Sequence, residues 1–73
     1  MKTLSNMKIG EICTVCKIII EGDIKRRFTD IGLIENTDIE CVGASPAGDP
    51  KAYLIRGAVI AIRSEDADLV LVR

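Results

Sequence analysis

Ala52-Tyr53-Leu54-Ile55-Arg56-Gly57-Ala58-Val59-Ile60-Ala61-Ile62-Arg63 is the stretch that decides the fold. Two runs rich in β-branched and other apolar residues, Ala52–Arg56 and Ala58–Arg63, flank Arg56-Gly57, which predicts an antiparallel hairpin. Towards the C-terminus, Ser64-Glu65-Asp66-Ala67-Asp68 predicts one tight helical turn, and Leu69-Val70-Leu71-Val72 a closing strand. On the other side, the loop Ser45-Pro46-Ala47-Gly48-Asp49-Pro50 is dense in turn formers. It follows a strand over Thr37–Ala44, with Ile39, Cys41 and Gly43 on one parity and Asp38, Glu40 and Val42 on the other. After a short lead-in, Ile12-Cys13-Thr14-Val15-Cys16-Lys17-Ile18-Ile19-Ile20 predicts the first strand, ended by Glu21-Gly22-Asp23.

Between the first two strands lies a helix signal. Asp23 is placed to cap it, and Ile24, Phe28 and Ile31 follow the i, i+4, i+7 spacing of one helical face. Gly32 stands where a helix ends in a left-handed residue. That puts Leu33 and Phe28 at the two positions whose side chains touch in a Schellman ending. Glu35-Asn36 makes the next turn, since Asn tolerates positive φ.

Seventy-three residues suffice for one domain, so residues 1–73 are read as a single unit. Hydrophobic residues make up 48% and aromatic residues 3%, so the core must come from Ile, Val, Leu and Ala, which favours strands. The expectation is a mainly β domain, a small closed barrel of about five strands with one short α-helix after the first strand. Closure would remove exposed sheet edges. Ten basic and eleven acidic residues give a net charge of −1, too balanced to draw a phosphate backbone or an anionic membrane from a distance. Apolar runs stay short of signal-peptide and membrane-spanning lengths, and three cysteines cannot complete a disulfide framework. A reducing, cytoplasmic setting is expected.

Four segments, in order and spacing, resemble the FeoA domain. They are Lys25-Arg26-Arg27-Phe28-Thr29-Asp30-Ile31-Gly32-Leu33, the Ser45–Pro50 loop, Ile55-Arg56-Gly57 with Ile60-Ala61-Ile62-Arg63, and Asp66-Ala67 before the last strand. The resemblance runs from about Gly10 to Val72; Glu35-Asn36 departs from it, where the family commonly has Pro-Gly. It implies an SH3-like barrel and a cytoplasmic accessory protein of ferrous iron uptake. The implied partner is the cytosolic portion of FeoB, a membrane transporter with a GTP-binding domain. The lack of a helix-turn-helix segment points to the stand-alone form rather than a repressor fragment.

Candidate chemistry is sparse. Cys13-Thr14-Val15-Cys16, with Cys41 as a third thiolate, suggests a metal-sensing or metal-carrying module. Residues three apart on a regular strand point to opposite faces and lie ~10 Å apart along it, which favours small core residues instead. With no His and no recognisable nucleophile–base pair or phosphate loop, no enzyme and no cofactor are expected. Lys25, Arg26 and Arg27 are read either as the solvated face of an amphipathic helix or as a contact for an acidic patch on a partner. Gly48 and Asp49 are read as turn formers or partner contacts. Arg56 and Arg63 are expected to pair with acids on adjacent strands. Phe28 and Tyr53 alone cannot line a proline-peptide groove or a base-stacking platform, so neither ligand is expected.

Overall fold

The fold, given by a computed structural model, is described for residues 2–73. The hairpin forms as expected. Strands β4 (Lys51–Ile55) and β5 (Ala58–Ile62) pair without a slip from Ile55↔Ala58 to Lys51↔Ile62. Arg56 (φ 48°) and Gly57 (φ 84°) make its two-residue turn, both in the left-handed conformation that matches strand twist. Arg56 thus sits in the turn, as expected, and β4 ends one residue earlier, at Ile55.

Four further strands complete one six-stranded antiparallel sheet: β1 (Lys2–Thr3), β2 (Ile12–Ile18), β3 (Asp38–Ala44) and β6 (Val70–Val72). The order is β1-β6-β2-β3-β4-β5. β2 is the pivot. Ile12 to Thr14 pair with β3, whereas Val15 to Ile18 pair with β6 across an irregularity at Cys16. A bulge sharpens the twist, and here it lets one strand serve both halves of the curled sheet. Alternation then aims one face inward: Cys13 and Val15, Ile39 and Cys41, Tyr53 and Ile55, Val70 and Val72 are all buried.

The lead-in is more ordered than its sequence suggests. Lys2 and Thr3 pair with Val72 and Leu71, and Leu4–Asn6 form a 3-10 turn that buries Leu4 and Met7 completely. Two residues are too few for alternation to show. No ladder joins β1 to β5 among the described residues. Side chains of β4 instead hold the turn that follows β1. The Tyr53 hydroxyl donates to the Leu4 carbonyl (3.2 Å), and Lys51 Nζ donates to the carbonyls of Ser5 and Met7 (2.8 Å each). The expected removal of edges is therefore incomplete, and β5 keeps a free edge.

Helix α1 spans Asp23–Asp30. Its cap is Gly22 (φ 79°), and Asp23 is the first helical residue with no side-chain capping bond, which corrects the expected cap by one position. Asp23 still lies in the first turn, where the helix dipole favours a carboxylate. The helix ends as predicted. Leu33 N–H donates to Phe28 O (2.8 Å) and Gly32 N–H to Thr29 O (3.0 Å), with Gly32 at φ 89°. Phe28 is buried and Ile31 half-buried, but Ile24 is 38% exposed, so the apolar face is narrower than its spacing suggested. A second helical turn, α2 (Ser64–Ala67), packs against the Leu4–Asn6 turn and buries Ala67.

Candidate functional site

The predicted basic run is fully exposed, but it does not form one patch. Successive helical residues turn by ~100°, which sends Lys25 and Arg27 to opposite sides of α1. Lys25 faces a hollow lined by Ile18, Ile34 and Glu35, with Thr29 and Asn36 at its rim. Arg27 faces the other way, into a groove of about 270 Å³ between α1 and β5. Phe28 and Ile31 form one wall of that groove, Ile60 to Ile62 the other, and Arg63 and Asp66 close one end.

Asp49 reaches the same neighbourhood from the loop. Its Oδ1 accepts a hydrogen bond from Ser64 N–H (2.8 Å), so it satisfies the first amide of α2 next to Arg63. Ser45 Oγ in turn donates to the Asp49 carbonyl (2.7 Å). Asp49 therefore has a structural task at the end of the groove. Gly48 (φ 88°) is exposed and touches no neighbour that a side chain would meet. Among the described residues Arg63 forms no ion pair with an acid, contrary to expectation, and neither does Arg27. Arg56 also lacks one; its Nε donates to the Gly32 carbonyl at 3.3 Å. Among the described residues the one ion pair is Lys2–Glu11, which raises the lysine and lowers the carboxyl from their ordinary values, chiefly through their mutual hydrogen bond.

The thiols are held apart in role. Cys13 and Cys41 are buried, and burial pushes the Cys13 thiol up and away from thiolate chemistry. Cys16 sits half-exposed on the β2 irregularity, where Arg73 Nη1 donates to its sulfur at 3.8 Å. No group of three Cys, Asp or Glu side chains suited to a metal occurs among the described residues. Both aromatics are interior, and Tyr53 is pushed up to about 12, first by burial and then by the nearby Cys41 and Asp49.

The place of Arg63 at the groove and the free edge of β5 are the features that sequence reading missed. The hairpin was legible, but its outer position in the sheet depends on where the other strands pair.

The FeoA domain model matches residues 2–73. The chain belongs to the FeoA domain family. FeoA domains are associated with ferrous iron transport. Solved relatives agree in fold. The solution structure of FeoA from Chlorobium tepidum is 27% identical with a TM-score of 0.90, over 97% of this chain and 68% of that one. A FeoA-like protein from Clostridium acetobutylicum is 30% identical with a TM-score of 0.89, over 99% and 84%. FeoA from Stenotrophomonas maltophilia, described as an SH3 domain protein and solved with zinc, is 22% identical with a TM-score of 0.83, over 100% and 91%. No curated protein matches the chain. The FeoA assignment accounts for the mainly β, SH3-like architecture, with a two-residue sixth strand added to the expected five. No helix among the described residues is long and apolar enough to cross a membrane.

Proposed function

We propose that this FeoA domain is a cytoplasmic, non-enzymatic adaptor of ferrous iron uptake that docks on the cytosolic portion of a FeoB-type transporter. The observation that carries the reading is the groove beside α1. Among the described residues Arg27 and Arg63 line it without an ion pair, Asp66 sharing the Arg63 end, next to apolar side chains of Phe28, Ile31 and Ile60. Cations held in no internal ion pair, two against the single carboxylate of Asp66, suit an acidic surface on a partner, where they steer encounter and fix register. The groove takes in Arg27 of the basic run, while Asp49 braces its far end, with Gly48 beside it on the loop.

Binding of the purified domain to the transporter's cytosolic portion, at low and moderate salt, tests the proposal. Salt-sensitive association that Arg27→Glu weakens is expected; no association with either the cytosolic portion or the full transporter overturns it.

A further inference from the structure

β5 is an edge strand without the usual protections. Its residues, Ala58-Val59-Ile60-Ala61-Ile62, include no charge and no proline, and its ladder with β4 runs without a bulge. Edges normally carry lysine, proline, a bulge or a covering element to prevent strand addition. The opposite edge obeys this rule, since β1 is two residues long and begins with Lys2. The unprotected edge therefore stands out within the same sheet.

Hairpin geometry identifies the free groups. A two-residue turn makes Ile55↔Ala58 a pair that exchanges both hydrogen bonds, and bonded pairs alternate from there. Ala58, Ile60 and Ile62 thus spend their amides on β4, while Val59 and Ala61 direct N–H and C=O away from it. Neither residue makes another hydrogen bond among the described residues. Val59 is 65% exposed, and Ala61 is exposed and lines the groove.

We infer that an extended acidic peptide segment of a partner adds to β5 as a further antiparallel strand, bonding Val59 and Ala61 and lying in the groove against α1. This deepens the docking proposal and rests on it for the partner's identity. Main-chain bonds supply affinity in such strand addition, and alternate side chains supply specificity. Apolar residues at the segment's centre would face Phe28, Ile31 and Ile60, with carboxylates at its ends facing Arg27 and Arg63; Asp66 beside Arg63 offsets part of the charge at that end, so Arg27 supplies the larger share of the match. Charge decides against a second copy of this chain as the occupant. Two β5 strands paired antiparallel about Ile60 would set each Arg63 beside the other copy's Arg56-Gly57 turn, cation against cation.

The probe is acetyl-Asp-Glu-Val-Thr-Val-Glu-Asp-amide, with a version carrying Lys for every acid, titrated into the full-length domain and followed by amide NMR and hydrogen exchange. Val59 and Ala61 amides should shift and gain protection with the acidic peptide only. Ala61→Pro removes one outward N–H without touching the β4 ladder, and Arg27→Glu with Arg63→Glu removes the charge match. Each should weaken binding about tenfold while thermal unfolding stays near wild type. Should Ala61→Pro fail to fold, the double charge variant and the wild-type protection map decide. Shifts confined to other surfaces, equal binding of both peptides, no binding of the acidic peptide, or concentration-dependent dimerisation through β5 overturns the inference. If the transporter's cytosolic portion binds wild type and Ala61→Pro equally, docking stands and strand addition falls. If the peptide adds to β5 but the transporter portion does not bind, the reverse holds.

Discussion

Arg56 lies across Gly32: its Nε donates to the Gly32 carbonyl at 3.3 Å, and its Cδ sits 2.6 Å from where a Cβ on Gly32 would stand. The two residues belong to different turns. One ends α1 and the other closes the β4–β5 hairpin, so this contact ties the helix to the hairpin that together form the groove.

Gly32→Ala should therefore destabilise the domain for two reasons, its φ of 89° and its collision with Arg56, at about 1–2 kcal/mol in total. Arg56→Ala removes the collision but not the backbone strain. Denaturant unfolding of both single variants and the double variant should show a smaller cost for Gly32→Ala when Arg56 is absent. Equal costs in both backgrounds would contradict the steric coupling.

Asp49→Ala should cost about 1 kcal/mol, because it leaves the Ser64 amide at the start of α2 without its partner. Asp49→Asn keeps an acceptor oxygen and should recover most of that loss. Thermal unfolding of the two variants separates hydrogen bonding from charge.

Tyr53 should set the alkaline limit. The fold favours its neutral phenol, with the pKa pushed up to about 12 from an ordinary value near 10. Its contribution is complete below about pH 10 and is lost as pH rises towards 12, amounting to at most about 3 kcal/mol. Tyr53 is the only tyrosine and there is no tryptophan, so tyrosinate absorbance reports it cleanly. A transition near the ordinary value in folded protein would refute the buried assignment, and Tyr53→Phe should remove this part of the stability profile.

Thiol labelling of the native domain should modify Cys16 first, with Cys13 and Cys41 protected until unfolding. Mass spectrometry of partly labelled protein reads the order directly. Zinc or ferrous ion, titrated anaerobically, should bind wild type and the triple Cys→Ser variant alike. Tight binding lost in the variant would instead establish a thiolate site.

Charge reversal at α1 should be asymmetric. Arg27→Glu, at the groove, is expected to weaken partner binding about tenfold, and Lys25→Glu, on the opposite side, far less. Equal losses would mean that the whole basic run acts as one diffuse field.

Local signals were legible in the sequence wherever a few neighbouring residues decide the outcome. The Gly32 ending of α1, the positive φ of Asn36 (69°), the Arg56-Gly57 turn and the inward alternation of β3 all follow from steric and pairing rules acting over four to six residues. Asp23 missed its expected capping role by one residue because Gly22 accepts the backbone angles of the cap more readily. The acidic partners expected for Arg56 and Arg63 depended on neighbours that sequence alone cannot place.

The sequence by itself thus determined the elements, their order and their turns, because those are set by short-range sterics and by the period of apolar residues. Only the tertiary structure decided that β2 divides its pairing between β3 and β6 and that β1 and β5 are left as the two edges. It alone also decided that Arg27 and Arg63 meet at one groove. Pairing partners are chosen by burial across the whole chain, and no local pattern encodes which strand remains outermost. The candidate groove lies beside that outermost strand, so the hairpin that revealed the fold became a sheet edge only once the rest of the sheet was in place.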